Sequence, residues 1–182
     1  MNRLLSLIIA LSILPLLFII SLLIVAENGL PILFKQKRVG KGNKLFWIYK
    51  FRTMKKNTPN IPTHLLKDSS NYYTKLGPFL RKYSLDELPQ LINIMKGDIT
   101  FIGPRPALYN QKDLIQRREK KGVHMLKPGV TGWAQVNGRD GVSIKEKVEL
   151  DYYYMQNKSF LLNIKIMFIT LLKVIKAENV QI

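Results

Sequence analysis

The chain has 182 residues, enough for one domain with a small appendage but too few for two full domains. Its 29 lysines and arginines against 12 aspartates and glutamates give a formal net charge of +17, so an anionic partner such as nucleic acid, anionic lipid or a phosphorylated substrate is expected. The chain has no cysteine, which excludes disulfides, thiolate nucleophiles and cysteine metal sites, and its two histidines, His64 and His124, lack metal-ligand spacing.

An uncharged, apolar run extends from Leu4 to Ala26, about the 20 residues needed to cross a bilayer. A cleaved signal peptide is not expected, because no small-x-small site precedes Glu27 and the run exceeds a usual signal-peptide core. Pro15 divides the run into two halves, each roughly 16 Å of helix and about half the hydrocarbon thickness. The sequence is consistent both with a broken helix that returns to the same face and with a kinked helix that spans the membrane.

The segment after this run is basic, which places the bulk of the chain on the cytoplasmic side by the positive-inside rule. Contact with anionic lipid is the default interpretation of such a cluster. Its members are Lys35, Lys37, Arg38, Lys41 and Lys44.

An aromatic-rich stretch from Leu45 to Met54 predicts a β-strand. Strand alternation puts Lys50 and Arg52 on one face, opposite Tyr49 and Phe51. The two basic residues can contact a phosphate or form the solvated side of an edge strand. The following residues, 57–70, contain two prolines and short polar side chains, which predicts a surface loop.

Two adjacent carboxylates, Asp86 and Glu87, stand at a predicted helix start. Ser84 is expected as the N-cap, with Glu87 three residues later as in a capping box and Pro89 within or just beyond the first turn. Helix capping alone explains the pair. The surrounding basic residues, together with Arg105 between two prolines, point instead to phosphate chemistry.

The second half of the chain predicts further helices and a glycine-rich loop. A charged helix is expected from about residue 107 to 121, and another from Ser143 to Tyr154. Between them, residues 127–139 form a turn-prone segment that carries Trp133, Gln135, Asn137 and Arg139, which is typical of ligand-binding loops and of plain connections alike. The final apolar run, residues 160–176, suits either an interfacial helix whose lysines reach headgroups or an ordinary core helix.

Several motifs occur together in the order and spacing of a known family. They are Lys50-Phe51-Arg52-Thr53-Met54, Ser84 to Leu91, Lys96-Gly97-Asp98, Gly103-Pro104-Arg105-Pro106 and Lys127 to Arg139. With them the chain resembles the bacterial sugar transferase family and, more narrowly, the small monotopic phosphoglycosyl transferases, from about residue 32 to 176.

The resemblance implies an Mg²⁺-dependent phosphoglycosyl transferase. Such an enzyme moves a sugar 1-phosphate from a UDP-sugar onto membrane polyprenol (undecaprenyl) phosphate and releases UMP, in a ping-pong mechanism. The reaction starts the assembly of bacterial glycoproteins, capsules, O-antigens or exopolysaccharides. Which UDP-sugar and which glycan are involved does not follow from the residues.

The resemblance also implies roles for individual residues. Asp86 and Glu87 match the catalytic dyad, in which the aspartate attacks the β-phosphorus to give a covalent phosphosugar-enzyme. A carboxylate that attacks an anionic diphosphate needs neutralising charge. Mg²⁺ at Asp86 and four substrate-binding cations are expected to supply that charge. The four cations are Lys50, Arg81, Arg105 and Arg139.

The implied fold is α/β, mostly helical with few short strands. Residues 1–34 are expected as a re-entrant membrane helix broken at Pro15, where the family's Ser-Pro pair is Leu14-Pro15 here. Residues 35–182 are expected as the catalytic domain, with interfacial amphipathic helices, on the cytoplasmic face of the bacterial inner membrane. The amino terminus is shorter than is usual in the family. Expected partners are a UDP-sugar, polyprenol phosphate, anionic lipid and a second copy of the chain in a homodimer, but not nucleic acid.

Two other functions remain open at this point. A non-catalytic, membrane-attached basic module explains the charge but not an acidic pair set between Arg81 and Arg105. A glycosyltransferase that breaks the sugar–oxygen bond would release UDP in place of UMP, so the nucleotide product distinguishes it.

Overall fold

The computed structural model describes residues 2–58, 69–138 and 141–176. Within them the chain forms a mixed, helix-rich α/β fold with short strands, as the sequence predicts. The helices are α1 Asn2–Ser12, α2 Leu14–Asn28, α3 Gly77–Lys82, α4 Gln90–Lys96, α5 Lys112–Lys120, α6 Trp133–Asn137, α7 Ile144–Asn157 and α8 Phe160–Ile175. The strands are β1 Leu33–Val39, β2 Leu45–Phe51, β3 Thr100–Ile102 and β4 Gly129–Thr131.

The apolar N-terminal run folds as two helices, α1 and α2, bent by 64° at the break. Pro15 lies in the first turn of α2, where its missing N–H leaves no helical hydrogen bond unmade and its ring prevents continuation of α1. No single helix in the described ranges is long and apolar enough to cross a membrane, whereas the bent pair meets that test together.

Both helices of this pair pack against the rest of the molecule. Ile20 and Ile24 of α2 form a buried cluster with Phe51 of β2 and Leu80 of α3. Partly buried apolar side chains of α1 cover a second cluster, which is built on α4. The opposite sides of α1 and α2 leave large apolar side chains exposed, including Leu11 at 62 % and Phe18 at 63 %.

Strands β1 and β2 form an antiparallel hairpin, and β3 and β4 pair in parallel. The charged helix begins at Lys112, about five residues later than predicted from the sequence. The reason is that the backbone of residues 107 and 108 extends the β1 edge: the Ala107 carbonyl accepts from Val39 N–H, and Leu108 bridges Arg38. An extended backbone at that point cannot also be helical.

Helix α8 starts after Ser159, whose hydroxyl accepts the Leu162 N–H, and Ile166 is its fully buried side chain. A core helix would bury most of its apolar residues. Here they are largely exposed, with Phe160 at 75 % and Leu161 at 77 %.

Helix α7 has a complete capping box, in which Ser143 and Glu146 exchange side-chain and backbone hydrogen bonds.

Candidate active site

The hairpin positions Lys50 beside the two carboxylates. Phe51 points into the buried cluster under α2, and the period of two along a strand therefore turns Lys50 to the opposite face. Its Nζ lies 2.6 Å from Glu87 Oε1 and 3.7 Å from Asp86 Oδ2. The predicted strand is confirmed over Leu45–Phe51, whereas substrate binding by Lys50 stays a prediction.

The capping box predicted at Ser84 is wrong. Ser84 has a left-handed backbone, with φ of 55°, and its side chain makes no capping hydrogen bond. Residues Leu85–Glu87 form a single 3₁₀ turn, and the α-helix begins at Gln90, after Pro89. Because Glu87 is not bound to the backbone of a helix start, its side chain is available to the cations across the site.

Glu87 is the best-paired carboxylate of the site. Its Oε1 accepts from Lys50 Nζ at 2.6 Å and from an Arg105 guanidinium nitrogen at 3.2 Å. Burial alone would raise the pKa of Glu87, but the charges and hydrogen bonds of Lys50 and Arg105 outweigh it and hold that pKa well below its ordinary value. Glu87 therefore stays ionised and fixes both cations in place.

Asp86 is in the opposite situation. It is only 7 % exposed, and burial raises the pKa of its carboxyl group. The charge of Lys50 opposes this shift, the neighbouring Glu87 adds to it, and Arg81 and Arg105 also oppose it. The Asp86 carboxylate is near these cations, but its Oδ2 lies 3.7 Å from Lys50 Nζ, which is longer than a hydrogen bond. The carboxylate oxygens therefore keep the capacity to accept from, or coordinate, a ligand.

Arg81 is held near the carboxylates by two residues that come after β2 in the chain, Thr53 and Tyr73. Its Nε donates to Thr53 Oγ1 at 3.1 Å, and one terminal nitrogen donates to the Tyr73 hydroxyl at 2.7 Å. The guanidinium also lies over the Tyr73 ring, 4.9 Å from its centroid. These contacts orient Arg81, which acts on Asp86 through its charge.

Arg105 reaches the site from the loop after β3. That loop packs closely on the residues before β4, where a side chain on Gly103 would collide with the Lys127 carbonyl. Glycine at this position therefore allows the two backbones to meet. The Arg105 side chain is one-third exposed, which leaves the guanidinium accessible from outside while it contacts Glu87.

Three residues that contact or support this loop were not predicted as part of the site. Arg38 donates to the Pro106 carbonyl at 3.1 Å, and Arg118 donates to the Arg105 carbonyl at 2.8 Å. Arg118 is paired in turn with the buried Asp151 at 2.6 Å. The sequence signal for Arg38 pointed to lipid, and that for Arg118 to a solvated helix face, because neither pattern shows which cation becomes buried.

Two other predicted residues lie elsewhere. Arg139 is outside the described residues, so its role stays a prediction. Pro15 lies at the break between α1 and α2, away from the carboxylates, in keeping with the structural role expected of it.

The donor set at the carboxylates fits a magnesium ion that arrives with a substrate. The described residues contain no group of three or more His, Asp or Glu side chains that could hold a metal ion by themselves. Mg²⁺ in phosphoryl-transfer sites is usually held by one or two carboxylates together with substrate phosphates and water. Asp86 can be such a ligand, because Glu87 already takes the direct ion pairs with Lys50 and Arg105.

Comparison with known proteins shows the family of this chain. A family model described as bacterial sugar transferase matches residues 1–177. The uncharacterized sugar transferase EpsL of Bacillus subtilis (strain 168) is 45% identical over 153 residues, which cover 84% of this chain and 74% of that protein.

Two relatives whose names state an activity are also similar. The UDP-N-acetylgalactosamine-undecaprenyl-phosphate N-acetylgalactosaminephosphotransferase of Aeromonas hydrophila is 39% identical over 162 residues, covering 86% of this chain and 38% of that protein. The UDP-glucose:undecaprenyl-phosphate glucose-1-phosphate transferase of Escherichia coli (strain K12) is 37% identical over 176 residues, covering 93% of this chain and 38% of that protein. The chain therefore spans well under half the length of these two relatives. Since the family model covers nearly the whole sequence, the chain belongs to the bacterial sugar transferase family.

Proposed function

We propose that this protein transfers a sugar 1-phosphate from a UDP-sugar to undecaprenyl phosphate and releases UMP, as a Mg²⁺-dependent phosphoglycosyl transferase. The observation that carries the proposal is the difference between the contacts of the two carboxylates. Glu87 takes the direct ion pairs with Lys50 and Arg105, while Asp86 is buried beside the same cations, beyond hydrogen-bond distance of Lys50. The names of the Aeromonas and Escherichia relatives support the same substrates.

Asp86 is the proposed nucleophile. One carboxylate oxygen attacks the β-phosphorus, the P–O bond to the α-phosphate breaks, and UMP leaves with the electron pair of that bond. An oxygen of undecaprenyl phosphate then attacks the phosphorus of the phosphosugar-aspartate, which restores the carboxylate and forms the lipid diphosphate sugar. A protonated carboxyl group is too weak a nucleophile for this displacement, so Asp86 must be ionised when the reaction starts.

The basic residues supply the counter-charge for these steps. Lys50 and Arg105 are proposed to contact the equatorial oxygens of the transferring group, which their ion pairs at the two carboxylates support, and Arg81 adds a third positive charge to the field at Asp86. Arg139 is proposed as a further phosphate contact. When bound through Asp86, Mg²⁺ would neutralise charge on the diphosphate and on the departing UMP.

The membrane arrangement is proposed to be monotopic, with α1 and α2 as a re-entrant pair and the site at the cytoplasmic face of the inner membrane. The start of α1 supports it, because Asn2 donates to Thr100 Oγ1 at 2.8 Å and Arg3 to the Lys96 carbonyl at 3.3 Å. These contacts hold the chain start on the same side as the catalytic residues. The exposed apolar residues of α8 would lie in the headgroup region, with its lysines towards the phosphates.

The first experiment identifies the nucleotide product. The full chain in lipid nanodiscs with undecaprenyl phosphate is supplied in turn with UDP-N-acetylgalactosamine, UDP-glucose and UDP-galactose, the sugars that relatives' names suggest. UMP release is expected with at least one of them and is expected to stop when EDTA removes Mg²⁺. Release of UDP would favour a glycosyltransferase, and binding without turnover a basic module.

The second experiment tests the nucleophile. A UDP-sugar labelled at the β-phosphate, given without lipid acceptor, should leave its label on the wild-type protein and not on Asp86→Asn. Asp113→Asn is the matched control, because Asp113 is an exposed carboxylate paired only with its neighbour Arg117 on the surface of α5 among the described contacts. Labelling of Asp86→Asn at the wild-type level would remove Asp86 from this role.

A further inference from the structure

The backbone that directly follows the Arg105 side chain is held by two arginines from different parts of the fold. Arg118 of α5 donates to the carbonyl of Arg105 itself at 2.8 Å. Arg38 of β1 donates to the next carbonyl, that of Pro106, at 3.1 Å. Two successive carbonyls fixed by cations define the direction in which the Arg105 side chain leaves the loop.

Both of these arginines are themselves anchored. Arg38 uses another terminal nitrogen to bind Gln36 Oε1 at 2.7 Å. Arg118 donates twice to Asp151 Oδ2, from Nε at 3.0 Å and from a terminal nitrogen at 2.6 Å. The loop is therefore connected to β1, α5 and α7, none of which supplies a carboxylate to the site.

A purely structural role does not explain why an arginine binds the Pro106 carbonyl, because placing its charge there is unfavourable. Burial, followed by the charge of Arg105, lowers the pKa of Arg38 to about 10, and its Nε–H is buried without a hydrogen-bond partner. A neutral donor could hold the Pro106 carbonyl without placing a second guanidinium near Arg105. Groups whose pKa is shifted by burial and by a specific nearby charge cluster at functional sites, and two neighbouring guanidinium groups suit a site that receives an anion.

We infer that Arg38 is a positioning residue for Arg105: it fixes the Pro106 carbonyl and, by like-charge repulsion, turns the Arg105 guanidinium towards Glu87 and the incoming diphosphate. The inference deepens the proposed function and rests on it for the identity of the diphosphate. Arg38 itself acts through Arg105 and makes no contact with the reacting phosphorus.

A double-mutant cycle on turnover tests the coupling. Arg38→Met and Gln36→Met are each measured in the wild-type and Arg105→Met backgrounds, with kcat and KM for the UDP-sugar that gives the highest UMP release. In the wild-type background, Arg38→Met is expected to lower kcat/KM roughly tenfold. In the Arg105→Met background, adding Arg38→Met is expected to lower kcat/KM further by less than about twofold. Equal losses in both backgrounds would show that Arg38 does not act through Arg105.

The remaining variants separate position from charge and from folding. Gln36→Met keeps the Arg38 charge but removes its anchor, so a smaller loss of the same kind is expected. Arg38→Lys should restore part of the activity, because an ammonium can reach one of the two acceptors but not both in fork geometry. Lys120→Met, at an exposed position of α5, controls for net charge and should behave as wild type.

A second readout does not depend on turnover. In ¹⁵N NMR at one neutral pH, the Arg105 side-chain resonance is identified by its absence from Arg105→Met. Arg38→Met should shift this resonance, because the Arg105 guanidinium would no longer be held against Glu87 Oε1 at 3.2 Å, and Gln36→Met should shift it less in the same direction. An unshifted Arg105 resonance in Arg38→Met would overturn the positioning role. If the expected NMR shifts occur in a protein that turns over none of the UDP-sugars, the proposed function fails and the positioning role stands.

Discussion

Adjacent residues of one turn carry carboxylates with opposite electrostatic properties. Asp86 is buried and its pKa is raised, mainly by burial, whereas the pKa of Glu87 is lowered because Lys50 and Arg105 bind it directly. The 3₁₀ turn explains how two neighbours reach such different surroundings, since consecutive side chains in it point in different directions. Glu87 thus organises the cations, which supports the proposed role of Asp86 as the nucleophile.

Removal of Lys50 should shift the pH dependence of activity. Attack requires ionised Asp86, burial already raises the pKa of Asp86, and Lys50 opposes that rise. Lys50→Met should therefore move the acidic limb of kcat/KM against pH to higher pH, in addition to lowering its plateau. Lys120→Met, an exposed lysine of α5, should leave the limb in place. A limb that stays in place or moves to lower pH in Lys50→Met would contradict the assignment of Asp86 as the titrating group.

The two carboxylates should also differ in their effect on stability. The lowered pKa of Glu87 means that its charge stabilises the fold above the ordinary glutamate pKa and that this contribution is lost as the pH falls. Glu87→Gln should cost roughly 1–3 kcal/mol at neutral pH, because Lys50 and Arg105 lose their partner, and less in acid.

Asp86→Asn is expected to have the opposite sign. The raised pKa of Asp86 means that its charge is disfavoured in the folded protein at neutral pH, so a neutral amide should raise the Tm while activity is lost. Thermal unfolding of both variants between pH 4 and 8 compares the two effects. A Tm at neutral pH that falls as far in Asp86→Asn as in Glu87→Gln would show that the two charges are equivalent.

The elements around the site differ from their predicted bounds where the backbone makes tertiary hydrogen bonds in place of local helical ones. The helix predicted from residue 107 starts at Lys112, because residues 107 and 108 continue the edge of β1. The predicted cap at Ser84 is absent, whereas Ser143 and Glu146 form a complete capping box with the same Ser-x-x-Glu spacing. Identical local spacing therefore gives a cap in one place and a left-handed turn in the other.

A matched pair of alanine substitutions tests this difference. Ser143→Ala should destabilise the protein by about 1 kcal/mol, the usual effect of losing an N-cap. Ser84→Ala removes a hydroxyl that caps no helix and should cost only a few tenths of that. Equal losses in chemical denaturation would mean that Ser84 also stabilises a helix end.

Side chains at the start of α1 connect the apolar helix pair to the catalytic part of the fold. Asn2 contacts Thr100, Arg3 contacts the end of α4, and Ile20 and Ile24 of α2 share a buried cluster with β2 and α3. These contacts attach the start of α1 to α4 and β3, and the middle of α2 to β2 and α3. They are the structural basis for the proposed re-entrant arrangement.

Because the chain has no native cysteine, a single introduced thiol can report its topology. Asn2→Cys should react with a membrane-impermeant maleimide from the cytoplasmic side of inverted vesicles, as should the control Asp113→Cys on α5. Reaction of Asn2→Cys only from the periplasmic side would establish a through-span and exclude re-entry.

The sequence by itself determined the family, the helix break at Pro15, the strand that carries Lys50, and the presence of an acidic pair. The family follows from several motifs in a fixed order and spacing. The break and the strand follow from local preferences, since proline interrupts a helix and aromatic residues favour a strand. Only the tertiary structure decided that Glu87 binds Lys50 and Arg105, that Ser84 is not a cap, and that Arg38 and Arg118 bind the backbone of the Arg105 loop. The physical reason is that burial and pairing join residues far apart in the chain. Arg38 and Pro106 are separated by 68 residues, and no local pattern records which of 29 cations will meet which acceptor.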